Sequence, residues 1–231
     1  MSTVLLVRHG LTKMTGPVLA GRTPGVHLDE RGEKQAAELA ARAAGLTLTA
    51  IVTSPLERCV ETATAIREQQ QGEPAWHVDD RLIECGYGDW TGKPIKELLK
   101  EPLWKTVQAQ PSAVRFPGGE ALADMSARAV AAIRDWDQRL GEDAVWVACT
   151  HGDVIKAIVA DALGLHLDQY QRIVPDPASV SVIRYTDTRP YVLRTNDTGS
   201  DLAVYTPPKK RRRTKKAADA TIGGGAGGGS V

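Results

Sequence analysis

The sequence predicts an α/β fold, a three-layer sandwich with a mostly parallel central sheet, helices on both faces and a small helical lid insertion over about residues 86–120. Three observations carry that expectation. Short unbroken apolar runs at 4–7, 51–52 and 145–149 read as buried strands. Segments with helical caps or helical periodicity lie between them, and strand–helix alternation argues for a parallel sheet covered on both sides. Two further runs, 179–185 and 191–195, are separated by a short turn region and read as a hairpin.

A Gly- and Pro-containing loop follows the first strand over 10–28. Asp29 can cap the next helix, whose Ala-rich interior at 35–44 stops at Gly45. After a short strand at 51–53, Ser54, Pro55 and Glu57 read as an N-cap, a first-turn proline and a capping-box acid. That start puts Arg58 in the first helical turn, pointing back to the sheet edge. Residues 75–78 form a weaker strand candidate, short and preceded by Pro74. The stretch 86–120 is broken by Gly and Pro around a short helix at 95–100, as suits a lid. Leu122, Met125, Ala129, Val130, Ile133 and Trp136 recur at helical spacing within 121–140. A final helix at 154–163 stops at Gly164.

With 231 residues the chain can bury a substantial core as one domain with a small insertion. No apolar stretch approaches membrane-spanning length, and the first strand begins where a secretory signal would lie. The expected setting is cytoplasmic. Three cysteines without regular spacing argue against a disulfide framework, and Cys149 with His151 lacks further ligands at zinc spacing. The near-neutral net charge hides an asymmetry. Residues 207–231 hold seven of the 29 basic residues and one of the 28 acidic ones, which leaves residues 1–206 net acidic. The body is expected to be the catalytic domain, and 207–231 a disordered tail, basic and then Gly-rich. Such a run attracts polyanions, so a nucleic-acid-associated protein is the reading of another class. No aromatic residue follows Tyr205 to stack on bases.

Four segments place chemistry at strand ends, where open α/β sheets bind ligands. Arg8-His9-Gly10 follows the first strand, Arg58 follows the second, Glu84 follows Arg81-Leu82-Ile83, and Thr150-His151-Gly152 ends the run at 145–149. Arginine forks bind the oxygens of a phosphate monoester, a neutral imidazole can attack phosphorus, and a carboxylic acid can protonate the leaving oxygen. Each residue alone has a plain structural explanation; Arg58, for instance, could pair with Glu61 on one helix turn. His27, His77 and His166 lie outside the motifs and receive no role.

Leu6-Val7-Arg8-His9-Gly10-Leu11-Thr12, Ser54-Pro55-Leu56 with Arg58, Glu61, Thr62 and Ala63, Arg81-Leu82 with Glu84, Gly88 and Trp90, and Thr150-His151-Gly152 resemble the motifs of the histidine phosphatase superfamily, the phosphoglycerate-mutase-like proteins. The resemblance covers roughly residues 3–195. It implies that His9 is the nucleophile, that Glu84 is the general acid and later the base, and that Arg8, Arg58 and His151 hold the phosphoryl group. His151 would be cationic over the bound anion. Gly10 and Gly152 belong to the same motifs as substrate contacts. Thr15 stands where many relatives carry Asn, and Gly21-Arg22 resembles a turn that lets the backbone approach the substrate. No metal or cofactor is implied, the partner is a small phosphorylated substrate, and relatives are often homodimers. Mutase relatives usually carry a longer, basic insertion, whereas 86–120 lacks an arginine pair. Hydrolysis is therefore expected. Lys93, Lys96, Lys100, Lys105 and Arg115 keep a phosphomutase as the alternative, and Trp90 and Trp104 are candidates to line a substrate entrance.

Overall fold

The computed structural model describes residues 1–200 and Leu202; the tail expected at 207–231 lies outside them. The sheet has the order β3-β2-β4-β1-β5-β6. Strands β1 (Ser2–Arg8), β2 (Ala50–Thr53), β3 (Ala75–Val78) and β4 (Val145–Thr150) run parallel, while β5 (Val180–Tyr185) is antiparallel to β1 and to β6 (Pro190–Asp197). Side chains alternate across a strand, so β1 feeds two cores. Leu5 and Val7 pack with Ile51, Val147 and Leu39 beneath α1 (Glu30–Ala43) and α2 (Glu57–Glu68). Val4 and Leu6 pack with Val52, Trp146 and Ala148 beneath the helices of the opposite layer.

That opposite layer holds α3 (Ile95–Leu98), α4 (Pro102–Ala109), α5 (Leu122–Leu140) and α6 (Gly152–Ala162). Asp29 caps α1 as expected, its carboxylate accepting from the amides of Arg31 and Gly32. The start of α2 differs from the sequence reading. The helix begins at Glu57 with Leu56 at the cap and no side-chain bond there. The Ser54 hydroxyl instead meets His151 Nε2 at 2.7 Å, and Glu57 accepts from the Gly25 amide. A buried imidazole competes for that hydroxyl more strongly than a partly solvated helix end does.

The insertion also differs in detail. Beyond the expected short helix it contains α4, and the buried Trp90 stacks at 6.0 Å on the half-buried Trp104, neither of them lining the cavity. Of residues 86–120, Tyr87 alone lines the cavity described below; the rest of its outer wall comes from 15–21 and 171–176.

Candidate active site

Parallel pairing of β1 with β4 sets Arg8 opposite Thr150. The next residue on each strand is therefore a histidine, and the two rings stand 5.3 Å apart, edge to face. The His9 amide donates to the Thr150 carbonyl at 3.1 Å, which fixes the pair at the carboxyl ends of the strands. Both histidines are buried. His9 borders a cavity of about 340 Å³ that is also lined by Arg8, Arg58, Glu84 and Gly152, whereas His151, fully buried against His9 and Arg58, lies outside the lining.

Arg58 is 2% exposed and ties the centre together. Its Nε donates to His9 Nε2 at 3.2 Å, and its Nη2 donates to the Gly21 carbonyl at 2.7 Å and to His151 Nδ1 at 3.2 Å. Glu61, the partner expected on a surface helix turn, instead accepts from the Leu28 amide and pairs with His27. Arg8 donates from Nη1 to the Pro175 carbonyl at 2.7 Å. Arg8 Nε and Arg58 Nη1 are buried without a protein acceptor. An unpaired buried guanidinium N–H is costly, so two such donors beside one cavity mark a place built for an anion.

The His9 tautomer follows from its partners. Nδ1 lies 2.7 Å from the Gly10 carbonyl and is the donor, which leaves the Nε2 lone pair facing Arg58. Burial, then the charge of Arg58, pull the His9 pKa down to about 3 against the Gly10 hydrogen bond. A neutral imidazole with an in-plane lone pair results. His151 is likewise pushed well below its ordinary value by burial and Arg58, so it is neutral here. The cationic His151 that the resemblance implied requires the added charge of a bound anion.

Glu84 reaches the same cavity from the turn after Asp80–Leu82. Its Oε1 accepts from the Cys85 amide at 2.9 Å. Burial, reinforced by the negative charge of Asp153, pushes its pKa up to about 7 despite the Cys85 amide and the two arginines. A carboxyl in that range holds a proton at neutral pH and can release it.

A profile of the histidine phosphatase superfamily (branch 1) matches residues 4–198. The chain belongs to the histidine phosphatase superfamily. It is 33% identical over 204 residues to phosphoserine phosphatase 1 of Hydrogenobacter thermophilus, covering 86% of this chain and 93% of that protein. It is 30% identical over 190 residues to the probable phosphoglycerate mutase GpmB of Enterobacter sp., covering 81% and 87% respectively. The solved structure of Bacillus stearothermophilus YhfR superposes with a TM-score of 0.79 at 28% identity, spanning 86% of this chain and 98% of that one. As a histidine phosphatase the protein is a metal-independent phosphoric monoester hydrolase.

Three residues expected as substrate contacts in this histidine phosphatase do not line the cavity: His151, whose ring nitrogens meet the Ser54 hydroxyl and Arg58, and Gly10 and Arg22. The Gly10 amide donates to Thr62 Oγ1, its carbonyl holds His9 Nδ1, and a Cβ there would sit 2.6 Å from the Gly32 carbonyl oxygen. Gly10 is thus a close-packing residue. Arg22 donates from Nε to the Glu84 carbonyl at 2.8 Å and pairs with Glu120 at 2.8 Å. Arg128, absent from the sequence reading, donates to the carbonyls of Arg81 and Glu84 and to both oxygens of Glu120. The two arginines and Glu120 therefore brace the backbone that carries Glu84. Thr15 and Gly21 do line the cavity. Gly21 sits at φ +52, and a Cβ there would lie 3.0 Å from the Tyr87 ring. His77 packs on Trp136 and His166 pairs with Asp168, both away from the site.

Proposed function

We propose that this histidine phosphatase hydrolyses small phosphorylated metabolites, with His9 as nucleophile and Glu84 as proton donor. The supporting observation is the convergence on one cavity of an unprotonated imidazole nitrogen, two guanidiniums with unpaired buried N–H groups, and a carboxyl whose pKa is raised to about 7. Arg8 and Arg58 hold the phosphoryl oxygens, with the Thr15 hydroxyl and the amino end of α6 at Gly152 as further donors, and His151 positions Arg58 by accepting from its Nη2.

His9 Nε2 attacks phosphorus in line, and the P–O ester bond breaks as Glu84 passes its proton to the leaving oxygen. Glu84, now a carboxylate, takes a proton from water. The resulting hydroxide attacks phosphorus, the P–N bond breaks, and phosphate leaves with His9 restored. Little covalent work falls to the protein beyond this, since positioning and fixed charge lower the barrier of phosphoryl transfer.

Hydrolysis is favoured over transfer because a mutase must hold a second phosphoryl group, beyond the one on His9, in either orientation. Lys93, Lys96, Lys100, Lys105 and Arg115 all lie outside the cavity lining. Incubation with 3-phosphoglycerate, with and without bisphosphoglycerate priming, separates the two activities. Release of inorganic phosphate should outpace isomer formation; primed isomerisation outpacing hydrolysis would overturn the reading.

Among the described residues no helix is long and apolar enough to cross a membrane. A cytoplasmic setting is supported by three free, buried thiols. A homodimer is the assembly that the family resemblance suggests. Weak, salt-sensitive attraction of the basic segment at 209–216 to polyanions is supported by its charge alone.

A further inference from the structure

The cavity extends beyond the phosphate-binding groups along α6. Lys156 lies four residues after Gly152 and three after Asp153, on the helix face they share with it, and all three line the cavity. At 1.5 Å per residue, Lys156 stands roughly 7–8 Å along the helix from His151. That is the reach of a leaving group of a few carbons.

The Lys156 side chain is 20% exposed. Its ammonium donates to Asp153 Oδ1 at 3.2 Å and to Gln171 Oε1 at 3.0 Å, and it lies 5.4 Å from the centre of the Tyr170 ring. An ammonium has three N–H groups, so one remains. Asp153 has both oxygens occupied, the second accepting from the Tyr87 hydroxyl at 2.8 Å. Gln171 also lines the cavity, and its amide nitrogen makes long contacts of 3.4 and 3.5 Å. Apart from Arg8 and Arg58, Lys156 is the one lysine or arginine in the lining among the described residues. A mostly buried cation with an uncommitted N–H, next to a weakly bonded amide, forms a receptor for a carboxylate.

We propose that Lys156, seconded by Gln171, selects phosphate monoesters whose leaving group bears a carboxylate, such as phosphorylated hydroxy acids and hydroxy amino acids. This inference rests on the hydrolase reading above. The competing role for Lys156 is to neutralise Asp153, which would affect every ester alike.

The test compares kcat/KM for O-phosphoserine and 3-phosphoglycerate with that for glycerol 3-phosphate, which lacks the carboxylate. The native enzyme should favour the carboxylated esters about tenfold or more. Lys156→Met should lower that ratio about 10- to 100-fold, chiefly through KM, the worth of one lost charge-assisted hydrogen bond. Lys156→Arg should restore most of it, and Gln171→Leu should lower the ratio by a smaller factor, which keeps the idea testable if Lys156→Met folds poorly. A native ratio near one, or losses in Lys156→Met that are equal for all three esters, overturns the inference. Failure of the hydrolase reading looks different: no phosphate would be released from any ester, p-nitrophenyl phosphate included.

Discussion

His9 and Glu84 show one physical cause producing two catalytic states. Burial disfavours whichever form is charged. It therefore strips the proton from an imidazole, to a pKa of about 3, and keeps the proton on a carboxyl, to about 7. The sign of the pH dependence follows. Formation of the phosphoenzyme needs Glu84 protonated and His9 neutral, so kcat/KM for alkyl phosphates should fall as pH rises through about 7 and hold on the acid side until His9 titrates. Glu84→Gln should cost about 10²- to 10⁴-fold on alkyl esters and flatten that limb. The loss should be far smaller on p-nitrophenyl phosphate, whose leaving group needs no proton. Full activity of this variant on alkyl esters would place the acid elsewhere. Arg8, His9, Arg58 and His151 were legible in the sequence because they end or follow strands; Glu84 follows the single helical turn Asp80–Leu82 rather than the strand end expected for it, and was legible from its motif alone. Arg22 and Arg128 were not, since a guanidinium on a loop or helix reveals its acceptor only after folding; here that acceptor is the carbonyl of Glu84.

At the scale of elements, local chemistry was readable where no tertiary partner competed for it. Asp29 caps α1, and the helical stripe at 122–136 buries Met125, Ala129 and Ile133. Ser54 was misread for the opposite reason, because the tertiary fold supplies its hydroxyl with His151. Gly32 carried no sequence signal at all, yet it sets how closely α1 crosses the exit of β1. A Cβ on Gly32 would lie 2.0 Å from the Leu11 carbonyl oxygen, backbone against backbone. Gly32→Ala should therefore force the loop after His9 outward. Urea unfolding should show a loss of about 1–3 kcal/mol or more, accompanied by a drop in kcat because His9 Nδ1 rests on the adjacent Gly10 carbonyl. Native-like stability with native kcat would show that the crossing is looser than described.

Over the whole molecule, the site exists because strands far apart in the chain are neighbours in the sheet. β1 lies between β4 and β5, and β4 separates it from β2. Alternation of strands and helices predicted a parallel sheet, but pattern alone does not give the order of its strands, so the meeting of His9 with His151 came from motif content. The register of β1 on β4 now supplies the physical reason. Everything functional then depends on phosphorus being carried by one imidazole nitrogen. The direct measurement is a single turnover with O-phosphoserine or p-nitrophenyl phosphate, quenched in alkali and followed by mass spectrometry of the peptide containing residue 9. A phosphoryl group on His9 should form and decay fast enough to account for kcat, and be absent from His9→Ala, whose turnover should fall by at least about 10³-fold. Undiminished turnover by His9→Ala, or a phosphoryl group carried on another residue, would contradict the account.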